Sequence, residues 1–329
     1  MWSITGVSLP VEDKKNPGNR VRIPPVILCV LLASGAPFFF LGGPGVNSAR
    51  SMFALWDLGH VLFFVLASLL LSQLVESRYP HCSVGLRWGG VFAAVLVLGG
   101  LVEGVQSVIS GRSPSVMDLL RNQLGCLLVF VSVAPQRRGR MVLFSRIFVS
   151  GLLGIALIPL SRALIDERIA VAQFPVISDF ETPFELDRWH GDEEVLFIDT
   201  RTVRKGSGAM RVRFTRKEYS GVSLVSFPSD WRGYDRLAIS VYNPDVDPLI
   251  LECRINDVIH NNRYHDRFNL RFILQTGWND LVIPLDQLRQ APAGREMDLA
   301  HIAYLKLFVP EQQTREREIV IDAVLLERQ

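Results

Sequence analysis

The sequence predicts two unlike domains: an N-terminal all-α bundle of about five membrane-spanning helices and a C-terminal all-β sandwich. Three observations predict this. Mean hydropathy is +0.24, high for a water-soluble chain, yet 21% of its 329 residues are charged, too many for a wholly membrane-embedded one. Charges are sparse before about residue 165 and dense afterwards. The apolar pattern also changes period, from unbroken stretches of about 20 residues to short, β-rich runs. That length accommodates two domains.

Residues 1–22 read as a polar cytoplasmic segment, and 23–165 as the bundle. Five apolar stretches are long enough to span: 23–41, 53–75, 88–109, 116–134 and 142–160. Pro24 and Pro25 suit a helix start, and Pro37 should kink or shorten the far end of the first. The polar segment before it and the lack of a small-residue cleavage site favour an uncleaved helix over a signal peptide. Lys14, Lys15, Arg20, Arg22, Arg78, Arg87, Arg137, Arg138 and Arg140 fall on one side of the spans, and only Arg50 and Arg112 on the other. The positive-inside bias therefore places the N-terminus in the cytoplasm and the C-terminal half outside the plasma (inner) membrane.

Three polar pairs interrupt the spans: Asp57 with His60, Glu103 with Gln106, and Asp118 with Asn122. Spacings of three and four put each pair on one helix face. At about 1.5 Å rise per residue, all lie roughly 6–10 Å below the outer boundary. Intramembrane charges are costly and usually face a bundle interior or wet cavity. With Arg112 and Arg121 nearby, the layer reads as a polar headgroup or proton site, or as glue between helices. His60 beside Asp57 or Glu103 would suit a general base.

In order, Asp57-Leu58-Gly59-His60, Glu103-Gly104-Val105-Gln106, a loop arginine and Asp118 through Asn122 to Gly125 resemble the VanZ-like membrane family over roughly 25–135. That family takes its name from low-level teicoplanin resistance, so the resemblance implies a cell-envelope role. Trp56-Asp57 departs from the Lys or Arg that members often carry there.

The outer domain, 173–329, carries five alternating runs at 237–242, 249–255, 280–285, 304–309 and 319–325, separated by turn signals such as Asn243-Pro244, Gly277 and Pro310. Short strands at this spacing predict a sandwich or barrel. Phe180-Glu181, Lys205-Gly206-Ser207-Gly208, Asp230-Trp231-Arg232-Gly233-Tyr234 and Gly277-Trp278-Asn279-Asp280, with Asp322 in the final strand, resemble jelly-roll carbohydrate-binding modules of the galactose-binding-like type. Such modules often hold a structural calcium between first and last strands, and Asp179, Glu181 and Asp322 are the matching oxygen donors. Ordinary strand-end acids are the alternative.

Sugar binding needs exposed aromatic faces flanked by amides, carboxylates and arginine. The loop 260–269 concentrates that chemistry, with Asn262, Tyr264, Asp266 and Arg267; Trp231, Tyr234 and Trp278 are further candidates. A solvated hairpin, and tryptophans packed at strand starts, would account for the same residues.

The four cysteines are scattered, with only Cys253 in the outer domain, which excludes a disulfide within it; no Cys/His spacing suggests zinc. A net charge of +2 without a basic stripe argues against nucleic acid. No Gly-x-Ser-x-Gly elbow or His-Glu-x-x-His motif marks an enzyme. The sequence thus points to a membrane protein that recognises an envelope or exported glycan, with a lipid-linked saccharide or membrane lipid at its polar layer. The alternatives are a membrane enzyme using Asp57, His60, Glu103, Arg112 and Asp118, or a plain anchor.

Overall fold

The computed structural model describes residues 23–45, 47–109, 115–133, 139–191 and 194–328. The chain forms two compact units, Met1–Leu41 with Val61–Val142, and Gly42–His60 with Leu143–Gln329.

Helix α1 (Pro25–Gly35) starts on a proline, whose missing N–H has no partner to lose there. Pro37 then tightens the chain into a 3₁₀ turn, Ala36–Phe39. The apolar helix Pro25–Phe39 is therefore shorter than a span. Helices α2 (Arg50–Arg78), α3 (Val84–Gln106), α4 (Val116–Val133) and α5 (Arg140–Gln173) are long and apolar enough to cross a membrane, so four described helices qualify where the sequence predicts five.

Ser83 caps α3, its hydroxyl accepting from the Leu86 amide at 3.3 Å. Phe39, Phe64, Trp88, Val91, Val95, Cys126 and Val129 form the buried core of the first unit. Phe39 meets Phe63 edge-on at 4.8 Å, and Trp88 meets Phe130 at 5.2 Å. Gly125 lets α4 close on α2: a Cβ there would lie 2.6 Å from the Val61 carbonyl oxygen. Leu62, Leu96, Val97 and Leu101 are exposed, a surface better suited to lipid than to water.

In the second unit α5 runs past the expected span end at 160 to Gln173. Its Glu167 carboxylate accepts from the Ser51 amide and hydroxyl, both at 2.8 Å, capping the start of α2.

Eleven strands among the described residues then build a two-sheet sandwich. One sheet runs β3 (Val195–Asp199), β4 (Ala209–Arg213), β11 (Glu318–Glu327), β6 (Arg236–Asn243), β9 (Gly277–Pro284), with β1 (Val176–Ser178) on the far half of β11. The other runs β2 (Trp189–Gly191), β5 (Ser220–Leu224), β10 (Ile302–Val309), β7 (Leu249–Asp257), β8 (Phe268–Leu274). All pairings are antiparallel. Alternation turns Leu237, Ile239 and Val241 of β6, and Leu249, Leu251, Cys253 and Ile255 of β7, into one core with Ile177, Met210, Trp231 and Leu305. The five predicted runs become β6, β7, β9, β10 and β11. The remaining strands are short or interrupted by glycine, serine and arginine. All four cysteines are free.

Candidate functional site

In the helical unit the polar layer divides by role. The Gln106 amide donates to the Phe39 carbonyl at 2.9 Å, an oxygen at the end of the Pro37 turn. Buried Asn122 sits where α4 approaches α3; a Cβ on Gly99 would lie 2.6 Å from its Nδ2. Gln106 thus behaves as interhelical glue. Asp118 pairs with Arg121 one turn on. Glu103 is buried; its Oε2 accepts from the Ser115 amide at 2.6 Å, capping α4, while Oε1 has no hydrogen-bond partner among the described residues. Glu103 and Asp118 lie in the first unit, whereas buried His60 belongs to the second. Asp57 is half-buried on α2, and Arg112 lies outside the described residues.

At the first and last strands of the sandwich, β11 bulges after Asp322, with Ala323 at φ 52°. The bulge carries the Asp322 carboxylate out of reach of solvent. Its Oδ2 accepts from the Arg204 and Lys205 amides at 2.7 and 3.0 Å; Oδ1 has no partner among the described residues. Burial raises the Asp322 pKa, although the three backbone amides facing it pull the other way. Glu181 accepts from the Ser207 amide and hydroxyl and the Gly208 amide, which hold its carboxyl below the ordinary range. Gly206 (φ +79°) and Gly208 admit this loop: a Cβ on either would meet Glu181 Oε1 at 2.2 Å or the Phe180 carbonyl at 2.5 Å. Asp179 is raised by burial and by neighbouring Glu185. The three acids do not converge as a side-chain triad. A hard cation would draw on Asp322 Oδ1 and the Glu181 carboxylate, and the orphaned buried Oδ1 fits that requirement.

The outer face of the five-stranded sheet carries a row the sequence reading did not name. Register aligns His190, Ser223, Lys306, Arg254 and Asn269 across β2, β5, β10, β7 and β8. The Arg254 guanidinium lies 5.2 Å over the Tyr304 ring. Tyr304 shares a 2.6 Å hydroxyl contact with Ser223. Arg254 donates to Asn256 at 3.3 Å and bonds His260 at 3.2 Å. In the next row Arg271 pairs with Glu252 at 2.7 Å. Strand alternation places Tyr304, Lys306 and Phe308 together on β10, but strand pairing decides what lies beside them.

At the β8 edge this face meets a cavity of about 410 Å³ lined by Tyr264, His265, Arg267, Asn269, Gln287 and Ala291 among others. Tyr264 is 59% exposed, with the Arg267 guanidinium 5.1 Å over its ring. Arg267 is held by Asn269 at 2.9 Å.

The other expected sugar contacts lie elsewhere. Trp231 is fully buried in the core, its indole donating to the Pro228 carbonyl at 3.1 Å, and has no face left for a ligand. Asp266 is buried and bound to Arg295 at 2.6 Å and to the Asn261 amide at 2.9 Å, so it braces the loop instead of facing solvent. Tyr234 packs against Phe174 and Arg328. Trp278 stands on the opposite sheet beside Tyr242 and Arg204. Asn262 is an exposed turn residue at φ 65°.

No protein-family profile matches the chain, and no curated protein does. Among solved structures, the sandwich is similar to the family 11 carbohydrate-binding module from Clostridium thermocellum in complex with a β-1,3-1,4-mixed-linked tetrasaccharide. That match has 14% identity and a TM-score of 0.37, over 46% of this chain and 94% of that one. An exo-β-agarase is similar at 16% identity and TM-score 0.39, over 47% of this chain and 25% of its own. The N-terminal module pair of a Clostridium thermocellum xylanase 10B, complexed with xylohexaose, is similar at 13% identity and TM-score 0.35, over 47% of this chain and 28% of its own.

Proposed function

We propose that this is a membrane-anchored glycan-recognition protein whose sandwich binds a polysaccharide at the β8 edge and the adjoining five-stranded face. The observation that carries this reading is the exposed Tyr264 ring at the mouth of the 410 Å³ cavity, with Arg267, Asn269 and Gln287 lining it. An aromatic face stacks on the apolar side of a pyranose, and the guanidinium and amides bond its hydroxyls. The four long apolar helices hold the sandwich at a plasma membrane, and the arginine and lysine bias of the loops favours an outward-facing sandwich. The buried polar side chains of α3 and α4 then accept the headgroup of a lipid-linked saccharide.

Calcium at the first and last strands is the cofactor that the donor set supports best, with the orphaned Asp322 Oδ1 and the Glu181 carboxylate as its donors. When bound it would supply charge neutralisation and bracing, not chemistry.

A glycan panel applied to the full chain in detergent tests the reading. Binding weakened by Tyr264→Ala supports it, and silence from a folded preparation overturns it. The buried Glu103 carboxylate, whose Oε1 has no hydrogen-bond partner among the described residues, favours a second reading, a membrane enzyme acting on a lipid-linked saccharide. Turnover that stops in Glu103→Gln and His60→Ala variants that remain folded would establish it.

A further inference from the structure

The outer face of the five-stranded sheet has an unbalanced charge. Lys306 and Arg254 are register neighbours on β10 and β7, and Arg267 stands at the start of β8. None of these three has a carboxylate partner among the described residues. Among the described residues Arg254 bonds Asn256 and His260, and Arg267 bonds Asn269. Arg271 on the same face is neutralised by Glu252. Burial lowers the Arg254 pKa and the like charge of Arg267 lowers it further, so the two guanidinium groups repel across the site.

Half-buried cations without partners are costly to hold. Here they are also oriented. Arg254 is clamped over Tyr304, Arg267 over Tyr264, and Lys306 lies 5.8 Å over the Phe308 ring. The row from His190 to Asn269 crosses four strand spacings, roughly 19 Å at about 4.8 Å each. That length suits several sugar units in an extended chain, with the cations spaced along it.

We propose that the ligand of this face is an anionic polysaccharide whose carboxylate or phosphate groups pair with Arg254, Lys306 and Arg267. The inference rests on the glycan-binding reading and names the polymer's charge. Neutral glucans and galactans would leave the three cations uncompensated on desolvation; an acidic chain supplies charge-assisted hydrogen bonds to each.

The test uses the full chain in zwitterionic nanodiscs. Alginate serves as the uronate polymer, poly(glycerol phosphate) as the phosphodiester polymer, and mixed-linkage β-glucan as the neutral one. Binding is measured at about 50 and 300 mM salt. At least one acidic polymer should bind at low salt and weaken at high salt, and which one binds tells carboxylate from phosphate. Arg254→Gln and Lys306→Gln should each weaken it about tenfold. Arg271→Gln should weaken it less, because Glu252 already neutralises that charge. Unchanged melting temperatures show that these variants fold. Tight, salt-insensitive binding of β-glucan alone would overturn the anionic inference and leave glycan recognition standing. Acidic-polymer binding indifferent to Arg254→Gln and Lys306→Gln would overturn this face as its site. Binding to none of the three polymers would overturn the inference; silence across the wider glycan panel as well would remove the glycan reading beneath it.

Discussion

Arg188, fully buried, donates three hydrogen bonds to the Asp166 carboxylate on α5, at 2.7, 2.9 and 3.1 Å, and a fourth to the Ile177 carbonyl at 2.7 Å. Arg50 reaches the same carboxylate at 2.8 Å. The last turns of α5 therefore belong energetically with the sandwich, and a domain boundary at residue 173 cuts through a buried ion pair. Removing one partner strands a buried charge, so Asp166→Ala should cost about 3–5 kcal/mol, while Asp166→Leu with Arg188→Met should recover much of the loss. Thermal unfolding of the sandwich checks both. A fragment beginning at residue 161 should melt well above one beginning at 173.

Acid should destabilise the sandwich through specific carboxylates. Arg295 and the Asn261 amide hold Asp266 below its ordinary pKa; the Ser207 hydroxyl with the Ser207 and Gly208 amides does so for Glu181, and His301 for Asp298. A depressed folded pKa gives stability that is fully present above the unfolded value, about 4, and is lost as pH falls through the folded one. Melting temperature should fall as pH drops below about 4, less steeply in Arg295→Gln. Asp322 works oppositely: burial raises its folded pKa, so its charge costs stability at neutral pH and that cost fades on acidification.

Calcium should offset the same cost at neutral pH. At about a hundredfold excess over its dissociation constant, a cation binding only the folded state adds about 2.7 kcal/mol. The melting temperature should rise with calcium, fall back with chelator, and stop responding in Asp322→Asn. An unresponsive wild-type protein would show that Asp322 is simply a strained strand acid.

Gly125→Ala should disrupt the helical unit. The added methyl would meet Val61 O at 2.6 Å and Val65 N at 2.9 Å, both backbone atoms that cannot swing aside. Overpacking of this kind costs about 1–3 kcal/mol, read as a lower melting temperature in detergent. Gly104→Ala, with open space around it, is the matched control.

Trp231→Ala and Tyr264→Ala should separate stability from binding. The fully buried Trp231 loses about 3–5 kcal/mol of folding stability on truncation. The exposed Tyr264 should leave the melting temperature almost unchanged while glycan affinity falls about tenfold.

Much of the architecture is legible in the residues themselves. Unbroken apolar stretches foretell α2 to α5, Pro37 foretells the early end of α1, and period-two runs foretell β6, β7, β9, β10 and β11, because helical rise and strand alternation are local rules. The polar pairs on α2, α3 and α4 are legible for the same reason: three- and four-residue spacing defines a helix face. The tertiary structure alone decided which neighbours those residues meet. It buried Trp231, turned Asp266 to Arg295, tied Asp166 to Arg188 across 22 positions, and set Lys306, Arg254 and Asn269 in one row. Such pairings depend on register and sheet order, which arise from contacts distant in sequence and leave no local signature.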